Sequence, residues 1–161
     1  ELVLDEDYVN CGHFLKVCDY GNPSIRNSIS GGIGYFEKGV KRLVIELELE
    51  NLNIYLVHLS LKFRQRAHQL SDLYSLLQPV RKPVIVAGDF NAFHGERELH
   101  LFMKATGLES ANREDLLTYP SWAPRRQLDF ILHSPEIKIT GFQIPQVTLS
   151  DHLPLVCDFH L

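Results

Sequence analysis

Apolar and acidic residues alternate through RLVIELELE, residues 42–50, from Leu43 onward. A period of two places every second side chain on the same face, so we predict a half-buried strand here. Residues 51–53 are typical of a turn, and residues 54–59 form a second apolar run. The two runs are therefore predicted to pair as a β-hairpin.

Two later segments show the helical spacing of apolar residues instead. Residues 65–78 are predicted to be a helix because apolar residues recur on one face and Pro79 lies just beyond the last of them. Residues 96–106 open with acidic residues and are followed by Gly107, which is typical of a helix from its first turn to its end.

The remaining pattern indicates strands and a long irregular start. The run VIVA, residues 84–87, is apolar on both faces and predicts a central strand. Further strands are predicted at residues 128–132, 137–144 and 155–161, whereas residues 1–30 are weakly patterned and predicted to be mostly loop. The expected fold class is α/β (α+β), with sheet buried against helix in one domain spanning residues 1–161.

Composition narrows the class of protein only slightly. The 161 residues are 45% hydrophobic, enough for one domain with a core, and the net charge of −4 argues against a grip on nucleic acid by the whole surface. Local basic patches remain at residues 62–66 and at Arg125 and Arg126. No apolar run approaches the roughly 20 residues of a membrane span, and no basic-then-apolar leader opens the chain, so a cytoplasmic location is expected.

Asp89 and Asn91 stand just past the predicted central strand, in GDFN. At positions i and i+2 of an extended chain they project to the same side, and Gly88 allows a sharp exit from the strand. A carboxylate and an amide oxygen side by side suit a hard cation such as Mg²⁺. The alternative interpretation is a turn held by side-chain hydrogen bonds.

Asp129 interrupts LDFIL, a strand that is otherwise apolar on both faces. A buried carboxylate is costly unless a cation or hydrogen-bond donors meet it. A salt bridge to Arg125 or Arg126 would satisfy it, and so would a partner in a functional site.

Two histidines complete the candidate chemistry. In SDHLPL, Pro154 marks the entry to the last strand, so Asp151 and His152 are predicted to lie in the loop before it. They form either a metal-binding acid with a histidine base or a loop with a capping histidine. His58 lies near the end of the run 54–59, where it is either structural or a phosphate contact beside the basic patch.

Taken in order, HLSL, RAHQL, PVIVAGDFN, LDFIL and SDHLPL resemble the endonuclease/exonuclease/phosphatase superfamily of DNase I-like, metal-dependent phosphoesterases. The resemblance covers residues 40–161, and residues 1–30 align with none of its motifs. The stretch TYPSWAPRRQLDFIL is similar to one in a group of uncharacterised bacterial members. The resemblance implies a four-layer α/β/β/α sandwich, here expected to lack its N-terminal strands.

The resemblance also implies roles. Asp89, Asn91 and Asp151 would hold Mg²⁺ or Mn²⁺, and Asp129 would orient His152, which acts as base or stabilises the transition state. The expected substrate contacts are His58, Asn91, Arg66 and Arg126.

The implied activity is hydrolysis of a phosphodiester or phosphomonoester by attack of water. Possible substrates are nucleic acid, a phospholipid head group or an inositol phosphate, with a nuclease-type substrate favoured. The alternatives are a phospholipid or inositol phosphate phosphatase, or a catalytically impaired binding or scaffold module on the same fold. A serine hydrolase using Ser150 is disfavoured because the serine lacks a G-x-S-x-G context.

This sequence also departs from the family pattern. The asparagine of the family's first strand is not recognisable in this sequence. The glutamate of the family's Q-E motif is not recognisable either, since Glu46 and Glu48 lie in a different strand from the one that carries it. The chain does not begin with Met, so it is expected to be the C-terminal portion of a longer protein whose N-terminal segment packs on the sheet and could carry a leader. Alone, it is expected to be weakly active.

Overall fold

The structure is a computed structural model that describes residues 15–19, 30–35, 43–93 and 97–161. In chain order the elements are β1 (Leu15–Asp19), β2 (Ser30–Tyr35), β3 (Leu43–Glu48), β4 (Asn53–His58), α1 (Phe63–Leu77), β5 (Val84–Asp89), α2 (Arg97–Thr106), β6 (Glu109–Ser110), β7 (Asp129–His133), β8 (Lys138–Gln143) and β9 (Leu155–His160). Strands and helices therefore alternate through the middle of the chain, as the apolar spacing predicts.

The strands form two sheets. A six-stranded sheet has the order β2-β3-β4-β5-β7-β6, and a three-stranded sheet has the order β1-β9-β8. Strand β5 lies in the interior of the larger sheet, parallel to β4 and antiparallel to β7. The predicted central strand and the predicted β3–β4 hairpin are both confirmed.

Two apolar clusters hold the layers together. One joins α1 and α2 to one face of the six-stranded sheet, through side chains such as Leu70, Leu73, Phe102, Val57 and Val86. The other fills the space between the sheets, through side chains such as Ile85, Ile131, Cys157 and Phe159. The described residues thus build three layers of the predicted sandwich, and the α/β class is confirmed.

One strand lies in the early part of the chain. Residues 1–30 are predicted to be mostly loop, and within them β1 pairs in parallel with β9, with Val17 opposite Cys157, while residues 1–14 and 20–29 lie outside the described residues. Five residues are too few for a clear period, so this strand is specified by its neighbour rather than by its own pattern. Residue 96, the predicted start of α2, lies outside the described residues.

The strand directions bring several chain segments to one edge of the sheet. Because β4 and β5 are parallel, their last residues, His58 and Asp89, are paired in register. Because β7 runs the other way, its first residue, Asp129, lies opposite Asp89. Within the described part of the chain, no helix is long and apolar enough to span a membrane.

Gly88 permits this close pairing of β4 with β5. Its φ is +135°, and a Cβ placed on it would lie 2.0 Å from the carbonyl oxygen of Val57. No larger residue fits without moving one of the two strands, so the position of Asp89 depends on this glycine.

We expect Gly88→Ala to lower the free energy of unfolding by about 2–5 kcal/mol, since the methyl group adds both a clash and backbone strain. Gly107→Ala is the matched control, because Gly107 also has a positive φ, +75°, but nothing lies within 4 Å of its Cβ position. The control should cost about 1–2 kcal/mol. Urea unfolding of both variants measures the difference, and equal losses would contradict the role given to Val57.

Candidate active site

Three chemistry-bearing residues occupy adjacent strands in one row of the sheet. His58 of β4 is paired with Asp89 of β5, and Asp89 is paired with Asp129 of β7. Both carboxylates are buried. A pair of buried acids side by side is unfavourable unless donors or cations compensate it, so the surroundings of each acid decide what the site can do.

Asp89 is held by donors on both carboxylate oxygens. Oδ1 accepts a hydrogen bond from the backbone N–H of Asn91 at 2.8 Å, and Oδ2 accepts one from the Asn91 side-chain amide at 2.9 Å. His58 Nε2 lies 3.4 Å from Oδ2. The carboxylate is therefore fixed in orientation at the end of β5.

Asn91 links two of the loops that follow the parallel strands. Its φ is 51°, a left-handed conformation that asparagine tolerates better than most residues. Its side-chain amide also donates to the backbone carbonyl of Leu59, at 2.9 Å. The turn interpretation and the functional one are therefore compatible, because the turn places Asn91 beside Asp89.

His152 and Asp129 form the second pair. The imidazole Nδ1–H donates to Asp129 Oδ2 at 2.8 Å, so the predicted hydrogen bond is confirmed. Arg126, the rival partner, donates from Nη1 to the Phe93 carbonyl oxygen at 2.7 Å instead. The bond to Asp129 fixes the His152 tautomer and leaves its Nε2 atom on the opposite side of the ring.

Asp89, Asp129 and His152 converge, and each offers one ligand atom within 4.8 Å of the others. Asp151, which was expected to bind metal, is not part of this group among the described residues. It is exposed, and its Oδ1 accepts a hydrogen bond from Ser150 Oγ at 3.2 Å. Its charge nevertheless acts on the neighbouring His152.

Opposing effects act on the pKa of His152. Burial lowers this pKa, while the hydrogen bond to Asp129 and the charges of Asp129, Asp89 and Asp151 raise it. The raising effects win, so the pKa lies above its ordinary value of 6.5. The site therefore keeps the imidazolium to a higher pH than an ordinary histidine would, and this form can donate a proton or stabilise negative charge.

Arg66 does not lie in the site, and the prediction that it contacts substrate is wrong. It is only 1% exposed, and its Nη1 atom donates to the backbone carbonyls of Ser60 and Leu61 at 3.1 Å. Its Nε atom donates to Glu98 Oε1 at 2.7 Å. Arg66 instead ties α1 to α2 and to the loop after His58, because a buried guanidinium needs several acceptors.

Aromatic contacts around His152 had no sequence signal. The Tyr119 ring lies 4.9 Å from the His152 ring, centroid to centroid, and 5.6 Å from the Phe93 ring. A single aromatic residue in a loop has no periodicity, so its partner cannot be read from the sequence.

The comparisons with known proteins agree with this fold and these motifs. A sequence profile of the Endonuclease/Exonuclease/phosphatase family matches residues 6–152, and the chain belongs to this family. The match begins before residue 30, so the expectation that the family resemblance covers only residues 40–161 is wrong. The fold is the DNase I-like fold of that family, whose hydrolases act on phosphoester bonds.

Among curated proteins, the chain is similar to UPF0294 protein plu0699 of Photorhabdus laumondii, with 31% identity over 115 residues. That match covers 70% of this chain and 43% of the relative. It is also similar to the uncharacterized protein YbhP of Escherichia coli K12, with 30% identity over 129 residues, 74% of this chain and 51% of YbhP. The chain thus spans about half or less of the length of these relatives.

Solved structures share the fold at low identity. A mannosyl-6-phosphatase from Bacteroides thetaiotaomicron has a TM-score of 0.67 and 14% identity, over 82% of this chain and 66% of its own. The human Nocturnin catalytic domain with bound sulfate has a TM-score of 0.57 and 23% identity, over 82% of this chain and 59% of its own. D. rerio TDP2 complexed with a single-strand DNA product has a TM-score of 0.61 and 18% identity, over 82% and 67%.

The buried ion pair of Arg66 can be tested through stability. We expect Arg66→Met to lower the free energy of unfolding by about 3–5 kcal/mol, because Glu98 and two backbone carbonyls lose their donor. Arg64→Met is the matched control, since Arg64 is exposed on the same helix, and it should change stability by about 0.5 kcal/mol or less. Similar urea unfolding midpoints for the two variants would show that the pair contributes little.

The pKa of His152 can be tested in chelated protein by NMR titration of its ring resonances. Asp129→Asn should lower this pKa because the strongest raising influence is removed while burial remains. Asp151→Asn, which removes a weaker and exposed charge, should lower it less. An unchanged pKa in Asp129→Asn would contradict the assignment.

The raised pKa of His152 also predicts how the free energy of unfolding changes with pH. A histidine whose pKa is raised by folding stabilises the protein fully below pH 6.5, the unfolded value, and this contribution is lost as the pH rises through the folded value. The stability gap between wild type and Asp129→Asn should therefore be larger at about pH 6 than at about pH 9. A gap that grows with pH would contradict it.

Proposed function

We propose that this protein is a divalent metal-dependent phosphoesterase that hydrolyses a phosphodiester, or alternatively a phosphomonoester, by attack of water. The observation that carries the proposal is the convergence of Asp89, Asp129 and His152 at the sheet edge where His58 and Asn91 also lie. Membership of the Endonuclease/Exonuclease/phosphatase family supports the same reaction class.

The residues fit a hard divalent cation. Asp89 is buried beside a second buried acid, Asp129. Two neighbouring carboxylates that are shielded from water are unfavourable unless positive charge lies near them. Carboxylate and amide oxygens are the ligands that Mg²⁺ and Mn²⁺ prefer. We propose that Asp89 would hold the ion with Asn91 and Asp151, and that such an ion would supply positive charge to stabilise the phosphoryl and leaving oxygens.

Asp129 is less suited to be a ligand, because its Oδ2 atom already accepts the hydrogen bond from His152. It sets the tautomer of the imidazole so that Nε2 is available to the reacting group, as an acid does for the histidine of a catalytic triad. His152, with its raised pKa, then stabilises negative charge on a phosphoryl oxygen or donates a proton to the leaving oxygen.

His58 and Asn91 complete the proposed contacts to the phosphate. His58 Nε2 points toward Asp89, so its imidazole ring lies at the same edge and can donate to a phosphoryl oxygen. Asn91 is held rigidly by Leu59 and Asp89, which favours a fixed contact over a mobile one. Asp89 or Asp151 would accept a hydrogen bond from the attacking water.

A nucleic-acid phosphodiester is the favoured substrate class. Exposed basic residues adjoin two of the strands that carry site residues: Lys62 and Arg64 follow β4, and Arg125 and Arg126 precede β7. Cations in two separate segments suit a polyanionic strand, whereas one monoester needs only a single cluster. Both a sugar phosphatase and a protein bound to single-stranded DNA are known on this fold.

The activity test uses bis-(p-nitrophenyl) phosphate with Mn²⁺ or Mg²⁺. We expect Asp89→Asn and His152→Ala each to lower kcat by about 10²–10⁴-fold, because each removes charge or proton transfer at the reacting centre. EDTA should abolish the activity, and added Mn²⁺ should restore it. Asp72→Asn, an exposed acid on α1, is the control and should retain the wild-type rate.

Two results would overturn the proposal. Hydrolysis that persists after exhaustive chelation would exclude the metal-dependent mechanism. Mn²⁺ binding through Asp89 without hydrolysis of a single-stranded oligonucleotide, a phospholipid, an inositol phosphate or a sugar phosphate would indicate a binding module on the same fold. Among these substrates we expect the oligonucleotide to react fastest, with a KM that rises with salt concentration.

A further inference from the structure

A row of side chains in contact with one another leads from the surface to His152. The Arg126 guanidinium lies over the Phe93 ring, with 5.6 Å from its carbon to the ring centroid. The Phe93 and Tyr119 rings meet edge to face at 77°, and the Tyr119 ring lies against His152 at a tilt of 51°. Three different loops contribute to this row, which we call the aromatic row.

The outer end of the aromatic row is anchored by backbone and side-chain hydrogen bonds. Arg126 Nη1 donates to the Phe93 carbonyl oxygen, so its guanidinium is held over the ring that it covers. The backbones of Tyr119 and Arg126 bridge each other, with the N–H of each 3.0 Å from the carbonyl oxygen of the other. Tyr119 is thus part of a closed turn rather than an open loop.

The inner end is bonded to the chain on both sides of His152. The backbone N–H of Ser121 donates to the Asp151 carbonyl at 2.7 Å, and that of Leu153 donates to the Thr118 carbonyl at 2.9 Å. The loop that carries Tyr119 and the loop that carries His152 therefore form one unit.

The hydrogen bond to Asp129 alone does not fix the imidazole. It restrains one atom, Nδ1, but the ring can still tilt while that bond is kept, because the last torsion of a histidine side chain has a broad range. A neighbouring ring in contact with the imidazole restricts this freedom. Tyr119 is that ring, at 4.9 Å between centroids and a tilt of 51°.

We infer that Tyr119 is a positioning residue that sets the plane of the His152 imidazole, with Phe93 and Arg126 holding Tyr119 in turn. The inference rests on the proposed function for its effect on rate, but its structural part does not. In this arrangement the apolar ring of Tyr119 restricts the orientation of the His152 imidazole, and the hydroxyl group of Tyr119 is not required.

Kinetics provide the first test. Tyr119→Leu should lower kcat by about 10–100-fold, with KM changed by no more than about twofold, since a misoriented histidine affects the reaction rather than binding. Tyr119→Phe keeps the ring and should stay within about twofold of wild type. Tyr74→Leu is the matched control: Tyr74 is also half-buried, but it packs on the core along α1, and kcat should not change.

NMR provides a test that does not need activity. An aromatic ring against the imidazole shifts the His152 ring-proton resonances, so these should move in Tyr119→Leu and stay in place in Tyr119→Phe and Tyr74→Leu. Phe93→Leu loosens Tyr119 without removing it and should give a smaller shift and a smaller loss of kcat. This variant also keeps the test decisive if Tyr119→Leu does not fold.

Each result has one meaning for the inference. Equal losses in Tyr119→Phe and Tyr119→Leu would overturn it, because the hydroxyl group would then matter. A change in KM alone would overturn it in favour of a substrate contact, and unmoved His152 resonances in Tyr119→Leu or in Phe93→Leu would exclude the packing. If wild type hydrolyses none of the substrates, the proposed function fails while the resonance shifts still decide whether Tyr119 positions the histidine.

Discussion

The structure depends on keeping two buried carboxylates next to each other. Asp89 and Asp129 are register partners on neighbouring strands, and each would be unfavourable in a dry sheet by itself. The chain offsets this with donors aimed at each: Asn91 and His58 serve one acid, and His152 serves the other. A cation at this edge would complete the compensation, so the features that make the site costly for folding are also those that suit it to phosphate chemistry.

Helix packing supports the site at a distance. The loop after His58 is held by α1, where Gln69 accepts from the backbone N–H of Ser60 and Arg66 donates to the carbonyls that follow. The preceding residue, Leu59, gives its carbonyl to Asn91. The orientation of Asn91 is therefore connected to the contact between the helices through a short series of hydrogen bonds.

The features that could be predicted from the sequence and those that could not differ in the sequence separation between the interacting residues. Strand β5 and the β3–β4 hairpin follow from local patterns. The His152–Asp129 bond joins residues 23 positions apart, and the choice of His152 rather than an arginine as the partner comes from the family resemblance. Strand β1 and the burial of Arg66 depend on partners far away in sequence, β9 and a glutamate 32 residues later. A charged residue in a basic patch looks the same in sequence whether it faces substrate or a buried carboxylate.

Two backbone hydrogen bonds join the loop that carries Tyr119 to the loop that carries His152. The loop that carries Tyr119 lies beside His152, so it is a natural target for changes meant to admit a different substrate. Because its backbone is bonded to Asp151 and to Leu153, any remodelling that shifts it also shifts the histidine between them. Under the proposed function, remodelling that changes the substrate range would therefore also change the reaction rate, because both depend on the same pair of backbone hydrogen bonds.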